Sequence, residues 1–71
     1  PDVFLRAAEL LRTPPARCCV IEDSAAGVTA AAAGGIPVIA VTHTLPPEAL
    51  AHATHIVDSL DDVGRLLLEP A

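Results

Sequence analysis

The sequence predicts an α/β fold in which about three short strands of a parallel sheet alternate with helices. Three observations carry this. Short apolar runs recur between stretches of helical periodicity, the connections are brief, and the strand runs are apolar throughout, as in parallel sheets covered on both faces. A chain of 71 residues holds at most one small domain, and its core must be thin. Three strands alone also leave both sheet edges open, so the pattern reads as part of a domain.

The elements follow in chain order. Asp2 can cap a first helix, in which Phe4, Ala7, Ala8 and Leu11 recur at i, i+3, i+4 and i+7 and form one apolar stripe. Thr13-Pro14-Pro15 ends it, because proline lacks an amide hydrogen and clashes inside a helix. Cys18-Cys19-Val20-Ile21 reads as a strand buried on both faces, stopped at Glu22-Asp23. Ser24 to Ala33 is mostly alanine, the strongest helix former, and Gly34-Gly35 supplies a left-handed residue to close that helix. Pro37 to Val41 is a second buried strand, with Pro37 admissible only at its first position. Pro46-Pro47-Glu48 opens a short helix reaching about Ala53. His55-Ile56-Val57 is a brief third strand. Acids at Asp58, Asp61 and Asp62 then begin a last helix with Val63, Leu66 and Leu67 as its apolar face. Such an order builds right-handed βαβ units.

Composition narrows the function. Hydrophobic residues make up 52% of the chain, yet Phe4 is its one aromatic, so the core is built from Ala, Val, Ile and Leu. Nine acidic residues against four basic ones give a net charge of −5, which argues against nucleic acid and anionic membranes as partners. The basic residues are Arg6, Arg12, Arg17 and Arg65, so chemistry that needs a lysine must find it elsewhere. No apolar run approaches the ~20 residues that span a bilayer, and no signal-peptide pattern opens the chain. A soluble cytoplasmic protein is therefore expected. Adjacent Cys18 and Cys19 suit neither a disulfide framework nor a zinc site and read as buried apolar residues. Gly27, Gly34, Gly35 and Gly64 fit no phosphate-loop or dinucleotide pattern.

Chemistry concentrates at Glu22-Asp23, where a strand meets a helix start. Ligands of open α/β sheets bind outside the carboxyl ends of the strands. Adjacent carboxylates repel each other, and a hard cation relieves that repulsion: Mg²⁺ takes one or two carboxylates and completes its octahedron with waters and phosphate oxygens. Asp23 and Glu22 are thus the metal candidates. Ser24 and Gly27 stand behind them or on the phosphate side: the helix from Ser24 offers amide donors, and Gly27 removes bulk where a phosphate or another backbone would approach. The structural alternative makes Asp23 or Ser24 a helix cap and Glu22 a solvated loop residue. His43 and Thr44 follow the second strand on the same carboxyl side and would border such a site. His52 and His55 are separated by a helix end and do not present two imidazoles to one metal. Asp58, Asp61 and Asp62 read as helix-start acids.

The run IEDSAAGVTAAAAGGIPVIAV, Ile21 to Val41, resembles the fourth motif of the haloacid dehalogenase-like (HAD) hydrolases, in the subfamily that includes phosphoglycolate phosphatase and β-phosphoglucomutase. Pro1-Asp2-Val3-Phe4 matches the tail of that family's Lys-Pro-x-Pro-Asp-x-Phe segment, and HIVDSLDDV, His55 to Val63, resembles its closing strand and helix. The resemblance implies that residues 1–71 are the C-terminal part of a Rossmann-like HAD core. It also implies a Mg²⁺-dependent enzyme in which an aspartate attacks a small phosphate monoester, forms an aspartyl-phosphate, and is served by a second aspartate as general acid/base. By the same resemblance both aspartates, the phosphate-binding Ser/Thr, the lysine and the cap domain lie upstream. This segment is then expected to hold no catalytic residue and to supply the metal-binding acids, Asp23 directly and Glu22 directly or through water. Phosphoryl transfer needs several groups converging on one phosphate, so the isolated chain is expected to be inactive. The implied partner is a small phosphorylated metabolite; substrate, phosphatase against phosphomutase, and oligomeric state stay open. Two rival readings are a fragment of a phosphoacceptor receiver domain, whose lysine this chain lacks, and a non-catalytic βα binding or oligomerisation fragment.

Overall fold

Helix and strand alternate in the order the sequence predicts. The computed structural model describes residues 2–42 and 44–68. Within them lie α1 (Asp2–Leu10), a 3₁₀ turn at Pro15–Arg17, β1 (Val20–Glu22), α2 (Ala25–Ala33), β2 (Val38–Val41), α3 (Pro47–Leu50), β3 (His55–Val57) and α4 (Leu60–Leu68). The strands form one parallel sheet in the order β1-β2-β3.

Register assigns the faces. Val20 pairs with Val38, Ile21 with Ile39 and Glu22 with Ala40, while Ala40 pairs with Ile56 and Val41 with Val57. Residues that pair in a parallel sheet share a face, and successive residues alternate. One face therefore carries Val20, Val38 and Ala40, and it packs on Val28 and Ala31 of α2 together with Ile36, with Phe4, Leu5, Leu45 and Leu50 at the margins. Alanine in α2 lets the helix backbone come close: Val28 and Ala31 are fully buried. On the opposite face Ile39 is buried, and Leu60 of α4 lines an open cleft together with Ile21 and Val41.

Three expectations need correction. β1 begins at Val20, so Cys18 and Cys19 precede it; Cys18 is half-buried and Cys19 exposed, where burial was expected. β1 is also not buried on both faces, since Ile21 keeps 44% of its surface exposed. The reason is position: β2 flanks β1 on one side alone, and only β2 has neighbours on both sides. Finally, α3 stops at Leu50 rather than Ala53, although Ala53 N donates to Leu50 O at 3.0 Å and continues the turn. No described helix is long and apolar enough to cross a membrane.

Helix ends are set by local hydrogen bonding. α1 holds Asp2 in its first turn, and Pro1 lies outside the described residues. Its other end closes before the prolines: Arg12 N donates to Glu9 O at 3.0 Å and Thr13 N to Ala8 O at 3.1 Å, with Arg12 at φ 53°. α2 closes the same way, through Gly35 N to Ala32 O and Ile36 N to Ala31 O, both at 3.0 Å, with Gly35 at φ 72°. Both are Schellman closures, in which a left-handed residue turns the last amides back onto the helix carbonyls.

Candidate metal site

Strand pairing carries the acids to the edge of the sheet. Glu22 is the last residue of β1 and Asp23 follows it, at the carboxyl end of the strand. Together with Ile21, Val41 and Leu60 they line an open cleft of about 260 Å³. Asp23 is exposed there and Glu22 is half-buried.

Glu22 is held by the turn that follows it. Its Oε1 accepts from Asp23 N at 3.0 Å, from Ser24 N at 3.2 Å and from Ser24 Oγ at 3.1 Å. Ser24 is the N-cap of α2: its backbone is extended (φ −115°, ψ 150°), and its Oγ accepts from Gly27 N at 3.0 Å. One hydroxyl therefore donates to the carboxylate and accepts from the helix. Burial pushes the Glu22 carboxyl up, but the Ser24 hydroxyl and the Asp23 and Ser24 amides outweigh it and hold the group below the ordinary glutamate value.

Gly27 meets something other than the expected phosphate or backbone. An ideal Cβ built on it would lie 2.1 Å from both Cγ and Cδ of Glu22 and 2.3 Å from its Oε2. The space that glycine leaves is filled by Glu22.

The structure thus brings Glu22, Asp23, Ser24 and Gly27 together. His43 lies outside the described residues, and Thr44 serves the loop after β2, donating its amide to Thr42 Oγ1 at 2.9 Å. His52 and His55 are exposed; contrary to the expectation, no helix end separates them, since α3 ends at Leu50, with His52 in the turn that follows and His55 at the start of β3. Ser59 Oγ accepts from Asp62 N at 3.2 Å, so Asp61 and Asp62 belong to the capped start of α4, where Asp62 also accepts from Arg65 Nη1 at 2.8 Å. Sequence reasoning missed Leu60 as a wall of the cleft. A leucine in a helix's first turn carries no signal for this; only the packing of α4 beside β2 and β3 brings it to Asp23.

Among the described residues no group of three or more His, Cys, Asp or Glu side chains could enclose a metal ion. Two carboxylates beside an open cleft fit Mg²⁺, which takes one or two carboxylates and leaves its remaining positions to water and phosphate.

Comparison with known proteins identifies the fold's relatives. Residues 1–63 match the HAD-hydrolase-like family. Over 69 residues the chain is 48% identical to a bifunctional riboflavin kinase/FMN phosphatase of Arabidopsis thaliana, covering 97% of this chain and 17% of that protein. Over 65 residues it is 45% identical to a probable pseudouridine-5'-phosphatase of Drosophila melanogaster, covering 87% of this chain and 28% of that one. A crystal structure of a dehalogenase with an intermediate complex has a TM-score of 0.85 at 24% identity, over 99% of this chain and 32% of the dehalogenase, which speaks to the fold alone. The chain spans less than a third of the length of each of these proteins. The family match favours the hydrolase reading over the receiver reading. Sequence match, parallel sheet and strand-end motif agree, and the chain belongs to the haloacid dehalogenase-like hydrolases.

Proposed function

We propose that residues 1–71 form the C-terminal part of the core of a Mg²⁺-dependent enzyme that hydrolyses a small phosphate monoester through an aspartyl-phosphate. The segment supplies the metal-binding acids. The observation that carries this reading is the exposed Asp23 in a cleft at the carboxyl end of β1, in a chain of this family. Phosphatase and phosphomutase both fit this reading, since relatives of both names match the chain.

Asp23 would hold the ion directly. Glu22 would act directly or through a bridging water: its Oε1 is taken up by three donors in the turn, and its Oε2 carries the carboxylate's remaining lone pairs. When bound, Mg²⁺ neutralises charge on the phosphate oxygens. The chain's own task is placement: pairing of Glu22 with Ala40 fixes the end of β1, and the cap of α2 fixes the turn that bears Asp23. The nucleophile, the acid/base, the lysine and the cap that shapes the substrate pocket come from the rest of the protein. A phosphorylated metabolite as partner and a cytoplasmic location belong to the same reading.

The test uses the full-length protein and p-nitrophenyl phosphate. Phosphate release is expected to require MgCl₂, to stop with EDTA, and to fall by about 100-fold in Asp23→Asn with the circular dichroism spectrum unchanged. Undiminished turnover in EDTA or in Asp23→Asn refutes the proposal.

A further inference from the structure

Gly27 is anomalous in its own helix. It lies in a segment of nearly continuous alanine, where glycine costs about 1 kcal/mol relative to alanine. Its backbone does not demand glycine either, since Gly35 alone among the described glycines has positive φ. What Gly27 provides is space, and one group uses it: the Glu22 side chain, with Cγ and Cδ each 2.1 Å from where a Cβ would stand.

We propose that Gly27 is a positioning residue for the metal-binding acids: it opens the slot into which the Glu22 carboxylate folds, and that carboxylate fixes the Asp23-Ser24 turn. The inference rests on the metal role proposed above for Asp23. A closed ring of hydrogen bonds supports it. Gly27 N donates to Ser24 Oγ, Ser24 Oγ donates to Glu22 Oε1, and the Asp23 and Ser24 amides donate to the same oxygen. The end of β1 is thereby tied to the first turn of α2, with Asp23 between them.

Opposite signs distinguish this role from a merely structural one. The nearest clashing atoms are Cγ, Cδ and Oε2 of a single side chain and none is backbone, so the clash in Gly27→Ala is relieved by rotating Glu22 about χ1, which displaces the carboxylate rather than breaking the helix. Alanine also favours the helix. Stability should therefore hold while the turn loses its acceptor.

The experiment compares wild type, Gly27→Ala, Glu22→Ala and the double variant of the full-length protein. Isothermal titration with MgCl₂ measures affinity, and amide hydrogen exchange reports on Asp23 and Ser24. For Gly27→Ala the expected results are a melting temperature within about 3 °C of wild type, Mg²⁺ affinity lower by about 10-fold, and faster exchange at both amides. The double variant should be no weaker than Glu22→Ala alone, because the clash has lost its partner. Wild-type affinity and slow exchange in Gly27→Ala overturn the positioning role, as do additive losses in the double variant. In both cases Mg²⁺ binding that disappears in Asp23→Asn leaves the proposed function standing. Absence of Mg²⁺ binding by the wild type overturns both.

Discussion

Glu22 shows how an acid at a strand end serves the fold before any ligand arrives. Its charge is favoured in the folded state, since the Ser24 hydroxyl and two backbone amides outweigh the cost of burial. The sign follows from linkage. A carboxyl held below its ordinary value stabilises the fold at pH above the unfolded value, and that contribution is lost as pH falls through the folded value. Glu22→Gln should lower stability at neutral pH and flatten its decline on acidification. Urea midpoints of both proteins in EDTA across the acid range check this, and identical pH profiles would refute it. EDTA matters here, because a bound cation would add its own preference for the charged form.

Within the elements, the two Schellman closures make a matched pair. Gly35 adopts φ 72° without a side chain to obstruct it, whereas Arg12 adopts φ 53° with one. For an L-residue that region costs roughly 1–2 kcal/mol, partly offset because glycine also gains freedom in the unfolded chain. Arg12→Gly should then raise stability by up to about 1 kcal/mol, read as a higher urea midpoint with an unchanged slope. A loss of stability would show that the arginine side chain contributes more than its backbone costs. The prolines that the sequence offers as the stop signal lie beyond this point: Pro14 precedes the 3₁₀ turn, and Pro15 begins it.

Across the whole molecule, one strand carries most of the burial. Val38, Ile39 and Ala40 of β2 are buried, while β1 and β3 each have a neighbour on one side and leave Ile21 and Ile56 44% and 51% exposed. The principal extents of 31 × 29 × 15 Å describe a slab, a shape with much surface for its core. An open parallel edge beside exposed apolar residues invites pairing with another chain. The 71 residues expressed alone are expected to self-associate and to release no phosphate from p-nitrophenyl phosphate, whereas the full-length protein should do both differently. Light scattering after size exclusion decides the first point. A monomer with cooperative two-state unfolding would refute it, and turnover by the isolated chain would show that its own residues suffice for the chemistry.

Local chemistry made much of this legible in advance. Alanine content marked α2, and an apolar run ending in two acids marked β1 and the candidate site, while β2 starts at Val38, one residue after the proline expected to open it. Those signals act within a few residues, so they survive without knowledge of what packs where. Strand burial did not survive in the same way: apolar composition is shared by β1 and β2, but only sheet order makes β2 central and leaves Cys19 and Ile21 exposed. Leu60 reached the cleft by the packing of α4 across many intervening residues, which no local pattern encodes. Gly27 lies between the two cases. Its place one turn into α2 was visible in the sequence, but what fills its space depends on the rotamer of Glu22. The donors that select that rotamer lie only one and two residues along the chain, but they converge on one oxygen only in the folded Asp23-Ser24 turn between β1 and α2.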